Sequence, residues 1–294
     1  MKPLRLHKNT KSNLRSFEIR FARVPHLYNK WHYHREIELL YVIKGSGTRF
    51  VGNSIRPFFD GDMVLIGSNV PHFWQNDEKY FLGSKDVYAE AILLQFLDDF
   101  MGNAFNLPEM LPIQNLLNIA LHGIQFTGET QWRADKILWE LVENEGSNKI
   151  IKLLELLDLF AKSPECCVLS DLAYPQRESQ GSSDRIQVVC EFLLKNFKDS
   201  LTLKEVADVA HMTEKAFCRF FKSTTHKTLF QFITELRISY ACKLLLHENL
   251  SVTEICYASG FNNLSNFNRA FKQITGCTPK AYQAGHLPFA TEVS

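Results

Sequence analysis

One small pattern occurs twice near the end of this chain, and it constrains the fold more than any other feature. The stretch "SVTEICYASGFNNLSNFNRAFKQITGCTP" covers residues 251–279, and "TLKEVADVAHMTEKAFCRFFKSTTHKTL" precedes it by 49 to 50 residues. Thr202-x-x-Glu205 and Ser251-x-x-Glu254 both read as capping boxes, in which a hydroxyl and a carboxylate satisfy the first free N–H groups of a helix. Each copy is therefore predicted to begin with a helix.

A second helix is predicted in each copy after a tight turn. With an offset of 50, Phe217 aligns with Phe267 and Arg219 aligns with Arg269. Gly260 stands where a left-handed residue would end the first helix of the later copy. The buried face of the second helices is predicted to consist of Phe217, Phe220, Phe221, Phe267 and Phe271. Each copy is thus a predicted helix-turn-helix unit, whose second helix is exposed and can lie in a DNA major groove.

The segment between the copies predicts a long connecting helix. It reads "LFQFITELRISYACKLLLH", and Thr228-x-x-Gln231 supplies a capping box at its start. Thr278-Pro279 begins the corresponding helix after the second copy, because proline suits the first helical position. A stiff connector would let the two units reach successive major-groove segments about 34 Å apart.

These residues resemble the AraC/XylS family of bacterial transcription regulators. The matched signature is "SVTEICYASGFNNLSNFNRAFKQITGCTPKAYQ", and the first copy agrees more loosely. The sequence departs from the family at His226, where glycine is usual, and at Gln283, where arginine is frequent. The resemblance implies double-stranded DNA as a partner, a homodimer, and RNA polymerase as a further partner of an activator. We interpret the chain as an activator and not as an enzyme.

The predicted DNA contacts lie on the two second helices. Arginine reads guanine bidentately, asparagine pairs with adenine, and lysine more often positions a protein on phosphates. The predicted contact residues are Lys215, Ala216, Cys218, Arg219 and Lys222 in the first copy, and Asn263, Leu264, Ser265, Asn266, Asn268, Arg269 and Lys272 in the second.

The first hundred residues predict a β-domain. Short runs rich in β-branched and aromatic residues ("SFEIRFARV", "IELLYVIKG", "GTRFVG", "DMVLIG" and "YAEAILLQF") are separated by glycine-containing turns. Strands spaced in this way favour a sandwich or barrel. The fold class is therefore α+β with two domains: an N-terminal antiparallel β-barrel with accessory helices, and a C-terminal all-α domain. The predicted boundaries are 1–161 for the first domain, 162–184 for a linker and 185–294 for the second domain.

Helical spacing begins at about Pro108, in "IQNLLNIALHGIQF", "DKILWELVEN" and "NKIIKLLELLDLFAK". The last of these is apolar almost all round, so it needs cover from more than one side. Burial within its own domain and cover by a second subunit are both open. In the family, helices of this region mediate dimerisation.

Two motifs in the β-domain resemble those of cupins. "WHYHREIELLYVIKG" contains His32, His34 and Glu38, and "GDMVLIGSNVPHFWQN" contains His72. The even-numbered positions predict that the first three project from one face of a strand. The resemblance implies a small barrel with a central pocket where these side chains converge, together with Trp74, on a small-molecule effector.

Two interpretations of this pocket are open. The fused DNA-binding module favours a sensor that binds an effector without a metal, and aromatic residues near the pocket allow a sugar. Three imidazoles and a carboxylate also suit a divalent transition metal bound by His32, His34, Glu38 and His72. The alternative function is therefore a metal-dependent cupin enzyme fused to a DNA-binding module.

Bulk composition adds three expectations. From Arg185 onward the chain has 13 Lys and Arg against 9 Asp and Glu, a net charge of +4, whereas the remainder has 20 against 23. A basic C-terminal third permits nucleic-acid binding. No apolar run reaches the ~18 residues of a membrane span, and the N-terminus lacks a signal peptide's apolar core, so a cytoplasmic location is expected. The seven cysteines fit neither a zinc module nor a disulfide framework.

Overall fold

The computed structural model describes residues 4–5, 16–171 and 183–286 of the 294-residue chain. Clustering of backbone contacts divides the chain into two compact units. The first consists of residues 1–54 and 58–183, and the second of residues 184–294 together with 55–57. None of the described helices combines the length and the apolar character that a membrane-spanning helix requires.

The described strands form two β-sheets, which belong to the first unit except for residues 55–57 of β6. One sheet has the strand order β1 (Leu4–Arg5), β3 (His32–Tyr33), β8 (His72–Asn76), β5 (Gly47–Val51) and β6 (Ser54–Phe58). The other has the order β11 (Cys166–Val168), β10 (Ile124–Phe126), β7 (Met63–Ile66), β4 (Ile37–Lys44), β9 (Ala89–Phe96) and β2 (Phe17–Val24). The ladders of β4 with β7 and β9, and of β8 with β3 and β5, are antiparallel, whereas β1 and β3 run parallel.

Alternation along the strands of the second sheet separates two apolar cores. On β4, Leu40 and Val42 join one buried cluster with Trp74 from the other sheet. Leu39 and Tyr41, which point to the opposite face, join a second cluster that includes helical residues. Successive side chains of a strand project to opposite faces, so both faces of this sheet are covered. This explains why β4 reads as a continuous apolar run.

Three helices cover the outer face of the second sheet: α1 (Leu111–Ile119), α2 (Gly128–Glu143) and α3 (Ser147–Ala161). The apolar positions of α3 are mostly covered by its own unit, since Leu153, Leu156 and Leu157 are no more than 1% exposed. Ile151 is the exception at 59% exposed. Cover by a second subunit is thus not needed to explain most of the apolar residues of this helix, and dimerisation stays a prediction.

Two segments differ from the sequence-based expectation. The helix predicted to extend to Phe126 ends earlier, because residues 124–126 form strand β10. The segment 162–184 is not a linker throughout, because Cys166–Val168 pairs with β10 as strand β11. Residues 172–182 of that segment lie outside the described residues. The three-residue strands were missed because they are too short to show an alternation.

The second unit is helical where it is described. Its helices are α4 (Ser183–Asn196), α5 (Leu203–Val209), α6 (Glu214–Thr225), α7 (Leu229–His247), α8 (Val252–Ala258), α9 (Leu264–Thr275) and α10 (Pro279–His286). The pairs α5–α6 and α8–α9 have matching lengths of 7 and 12 residues. The predicted repeat is therefore a structural repeat, and α7 is the connector between its copies.

All three predicted capping boxes form. In α5, the Thr202 hydroxyl accepts from the backbone N–H of Glu205, whose side chain in turn accepts from the backbone N–H of Thr202. The pairs Ser251 with Glu254 and Thr228 with Gln231 are built in the same way. The helix starts were therefore readable from four-residue patterns, because a capping box is a local interaction.

The second helices pack as predicted with one exception. Phe217, Phe221, Phe267 and Phe271 are no more than 1% exposed. Phe220 was predicted on the same buried face but is only half-buried. Its position lies at the edge of the apolar stripe, one residue from Phe221 and thus about 100° round the helix.

Candidate DNA-binding and effector-binding sites

The first candidate site is the exposed side of α6 and α9. Arg219 and Arg269 occupy the same position in the two helices and are both exposed. The aromatic residues two places on either side of each arginine are buried, which holds the arginine side chains on the solvent face. The sequence prediction that neither arginine is buried is thus met, whereas their contact with DNA stays a prediction.

Ten of the twelve predicted contact residues are exposed: Lys215, Cys218, Arg219, Lys222, Asn263, Ser265, Asn266, Asn268, Arg269 and Lys272. Ala216 and Leu264 are half-buried, so their placement on the exposed side was only partly right. Leu264 packs against the apolar core between α7 and α9. It is the first residue of α9, where the chain enters the helix close to that core.

Local hydrogen bonds determine how α9 begins. The Asn263 side chain caps the helix, because its Oδ1 accepts from the backbone N–H of Asn266 at 3.0 Å. Thr213 caps α6 in the equivalent place. The Asn266 side chain accepts from the guanidinium of Arg269, with 3.1 Å between Nη2 and Oδ1. Asn263 therefore has a structural role, while Asn266 orients the arginine.

The second candidate site is a buried cluster in the first unit. One ring nitrogen from each of His32, His34 and His72 lies within 4.8 Å of the others. All three side chains are no more than 4% exposed, as is Glu38. The carboxylate of Glu38 lies 2.9 Å from Nε2 of His34 and 3.5 Å from Nε2 of His72. The four predicted pocket residues thus come together.

The reason for this convergence differs from the one expected. His32 belongs to β3 in one sheet, whereas Glu38 belongs to β4 in the other, so they do not share one regular strand. The chain crosses between the sheets at residues 34–36. His72 is the direct neighbour of His32 across the β3–β8 ladder. The cluster therefore forms where the two sheets meet.

Backbone carbonyls fix the orientation of all three imidazoles. Nδ1 of His32 bonds to the carbonyl of Lys30 at 2.8 Å, Nδ1 of His34 to that of Glu36 at 2.9 Å, and Nδ1 of His72 to that of Val70 at 2.7 Å. A carbonyl only accepts, so each Nδ1 carries the proton. In a neutral imidazole the lone pair is then on Nε2. Histidines that bind metals are held in this way by an acceptor at the other nitrogen.

Glu38 is the negative charge of the cluster. Burial alone would raise the pKa of its carboxyl, but the neighbouring imidazoles of His34 and His72 lower that pKa well below 4.5. Burial and the proximity of His72 lower the pKa of His32 well below 6.5. The Gln95 amide on β9 donates to Oε2 of Glu38, the same oxygen that faces Nε2 of His34. Gln95 was missed from the sequence, although a glutamine inside "AILLQF" was the available signal.

The donor set fits a cation. Nδ1 of His34 faces a carbonyl oxygen, and its Nε2 faces the Glu38 carboxylate at 2.9 Å and the Gln95 amide nitrogen at 3.5 Å. A cation between Nε2 and Glu38 would be bound by one nitrogen and one oxygen donor. Nε2 of His72 is buried and faces the Glu38 carboxylate at 3.5 Å, which is too long for a well-formed hydrogen bond. Nitrogen and carboxylate donors in this number suit a divalent transition metal, and they equally accept hydrogen bonds from a hydroxyl-rich ligand.

Aromatic and charged residues surround the cluster. The Trp74 ring centroid lies 6.0 Å from that of His72, and Trp74 itself is part of the apolar core. The Tyr28 ring meets that of His32 edge-on at 4.9 Å and is partly exposed. A buried ion pair joins Arg49 to Asp62 at 3.1 Å. Trp74 thus lies beside His72, but its indole is packed in the apolar core, and its contact with a ligand stays a prediction.

Two domain families match this chain. Residues 206–285 match the helix-turn-helix domain family of AraC type, and residues 23–80 match the cupin domain family. The chain therefore contains an AraC-type helix-turn-helix domain and a cupin domain. The predicted resemblance and fold class are confirmed, with the cupin domain N-terminal and the AraC-type helix-turn-helix domain C-terminal.

Two proteins named as transcriptional regulators match most of this chain. The chain is 25% identical to the uncharacterized HTH-type transcriptional regulator YdeC of Bacillus subtilis, over 87% of this chain and 86% of YdeC. It is 23% identical to the HTH-type transcriptional activator RhaS of Mannheimia succiniciproducens, over 88% of this chain and 90% of RhaS. A match of 31% identity covers 37% of this chain and 52% of the bifunctional transcriptional activator/DNA repair enzyme AdaA of Bacillus subtilis.

Proposed function

We propose that this regulator binds two successive major-groove segments of an operator through α6 and α9, under the control of a small-molecule effector held at the His32–His34–His72–Glu38 cluster. The observation that carries the proposal is the equivalence of Arg219 and Arg269. Both occupy the same position on helices of equal length and are exposed above buried phenylalanines.

Different roles follow from the chemistry of the exposed residues. Arg219 and Arg269 suit guanine O6 and N7, and Asn268 suits adenine N6 and N7. Lys215, Lys222 and Lys272 suit phosphates, which fix register without reading sequence. Because α9 carries more asparagines, the second copy has more groups that read bases.

The effector is proposed to be rich in hydroxyl groups, as a sugar is. Its support is the chemistry of the cluster, in which Nε2 atoms and the Glu38 carboxylate present acceptors. A ligand with several O–H donors satisfies them, whereas an anionic ligand would meet the Glu38 charge. Trp74 and Tyr28 add aromatic surface beside the histidines.

The mechanism is proposed to be a shift between populations. An effector that binds one arrangement of the protein better than another changes the share of molecules able to reach both DNA segments. We infer further that the regulator is a homodimeric activator which recruits RNA polymerase. The full-length similarity to the activator RhaS supports the activator assignment.

A divalent metal at the cluster is the second candidate, and the buried Nε2 of His72, which has only a long contact to Glu38, favours it. His32, His34, His72 and Glu38 would hold the ion, and a bound divalent cation would supply Lewis acidity to a substrate oxygen. A metal-dependent enzymatic activity remains the alternative to sensing. The fusion to a DNA-binding domain favours the sensor.

DNase footprinting of the full-length regulator on DNA around its own gene tests the proposal. We expect protection of two subsites about one helical turn apart, with an affinity that falls steeply as salt rises because Lys and Arg displace counterions. Uniform protection without subsites, or a nearly flat salt dependence, would contradict it. A thermal-shift screen with sugars then tests the effector, since a ligand of the native state raises Tm.

A further inference from the structure

Arg237 lies in the middle of α7, and its guanidinium holds a segment outside that helix. Its Nε donates to the carbonyl of Phe197 at 2.7 Å, and its Nη2 donates to the carbonyl of Asp199 at 2.8 Å. Both carbonyls belong to residues 197–199, which directly follow α4. Charge-assisted hydrogen bonds from a planar guanidinium fix direction as well as distance. The end of α4 is thus fastened to the connector helix.

The same segment supports the turn of the second helix-turn-helix unit. Gly260, between α8 and α9, has a φ of 87°. A Cβ at this position would lie 2.6 Å from the carbonyl oxygen of Lys198 and 2.8 Å from its Cα. It would also lie 3.0 Å from Nε of Arg237. The turn therefore packs directly on the backbone of Lys198, with the guanidinium beside it, and only glycine allows this approach.

The opposite end of α4 reaches the first unit of the repeat. The Arg185 guanidinium lies over the ring of Phe220 on α6, 6.0 Å from its centroid. With 14 residues, α4 is about 21 Å long. One end of α4 therefore meets the first DNA-reading helix, and the other end meets the turn that precedes the second. The two copies are bridged by α4 as well as by α7.

We propose that Arg237 is a positioning residue for DNA recognition, which fixes residues 197–199 between α7 and the Gly260 turn and thereby sets the spacing between the two DNA subsites. This inference rests on the proposed binding through α6 and α9. An apolar core holds the second unit against one side of α7. Residues 197–199 add a second support away from the axis of α7, which resists rotation of the second unit about that helix.

The test measures how much DNA affinity the full-length chain loses when the spacing between the two subsites changes, and it compares the wild type with variants. Duplexes selected by the wild type from a random library are footprinted, and one base pair is then inserted between the two subsites. The insertion moves one subsite by about 3.4 Å along the duplex and turns it by roughly 35°. We expect the wild type to lose about tenfold in affinity, a loss in the range of one mismatched base pair. We call this factor, the affinity before the insertion divided by the affinity after it, the spacing ratio. For Arg237→Ala we expect the spacing ratio to fall to about threefold or less.

Three further variants sharpen the outcome. Lys198→Ala keeps the backbone carbonyls, so it should retain the wild-type ratio. Arg237→Lys keeps one donor and should give an intermediate ratio, while Gly260→Ala should resemble Arg237→Ala because it separates the same surfaces. A probe with a single subsite should bind the wild type and Arg237→Ala equally.

The results separate a positioning role from a general structural role. The inference would be overturned if Arg237→Ala lost the same factor in affinity, relative to the wild type, on duplexes of either spacing and on the single subsite. If Arg237→Ala does not fold, Arg237→Lys decides, and a ratio equal to that of the wild type overturns it. If the wild type itself selects no duplex, it is the proposed DNA-binding mode that fails.

Discussion

His226 and Gly276 end helices α6 and α9 in the same left-handed conformation, with φ of 57° and 82°. The turns inside the two helix-turn-helix units repeat the contrast, with His211 at 52° and Gly260 at 87°. The first copy thus has histidine at both positions where the second has glycine. A residue with a Cβ is strained in this region, so the backbone of the first copy stores strain that the second avoids.

Gly276→Ala should lower the free energy of unfolding by about 1 kcal/mol, because alanine is strained at positive φ. Among the described residues, no atom lies within 4 Å of the added Cβ, so we attribute the effect to backbone strain. His226→Gly should have the opposite sign and at most a similar size. Urea unfolding followed by far-UV circular dichroism measures both changes. Gly285→Ala in α10 is the matched control, since its Cβ also meets no atom of the described chain, and it should be neutral or stabilising.

Arg269→Ala should weaken operator binding by roughly 1–3 kcal/mol and relax specificity at one base pair. The reason is the loss of a bidentate contact that Asn266 orients. Fluorescence anisotropy at physiological salt measures the change. Lys85→Ala removes the same charge from an exposed loop of the cupin domain and should leave affinity nearly unaltered. Equal affinities for Arg269→Ala and Lys85→Ala would remove Arg269 from the DNA contacts.

Arg49→Met should destabilise the cupin domain by about 3–5 kcal/mol, because Asp62 is then a buried charge without its partner. Burial raises the pKa of Asp62 even though Arg49 acts to lower it, so the site already penalises the carboxylate. The double variant Arg49→Met/Asp62→Leu should recover most of the loss. The exposed pair of Arg35 and Asp99 is the control, and Arg35→Met should cost no more than about 1 kcal/mol. Thermal unfolding that shows equal losses of stability for Arg35→Met and Arg49→Met would refute this prediction.

Zn²⁺ should raise the Tm of the wild type if the cluster binds a metal, as the second candidate function requires. At a hundredfold excess over Kd the gain is about 2.7 kcal/mol. His72→Ala should lose this response, because it removes one of the three imidazoles. His122→Ala, outside the cluster, should keep it. If Zn²⁺, Mn²⁺ and Fe²⁺ all leave the Tm of the wild type unchanged, the metal site is contradicted, and a hydroxyl-rich effector is the ligand still proposed for the cluster.

Local patterns allowed much of the second unit to be predicted. Thr202, Ser251 and Thr228 each begin a helix through contacts within four residues, so their capping boxes were readable without knowledge of the fold. The left-handed turn residue could be predicted in only one of the two copies. Gly260 signals such a turn, whereas His211 gives no sign of one until the copies are aligned.

Tertiary contacts account for what was missed. Gln95 lies beside Glu38 because β9 pairs with β4, a register that local sequence does not specify. The grouping of His32 with Glu38 was predicted from their spacing, but the actual cause is a crossing between sheets. The bonds from Arg237 to residues 197–199 span about forty positions, and nothing near Arg237 in the sequence indicates them.

That crossing has a mechanical consequence for the cupin domain. His32 and His72 belong to one layer of the domain and Glu38 to the other, so any molecule held among them is tied to both layers at once. Pulling the layers apart would require its release. A ligand bound among these residues would therefore strengthen the contact between the two sheets, and its loss would weaken that contact.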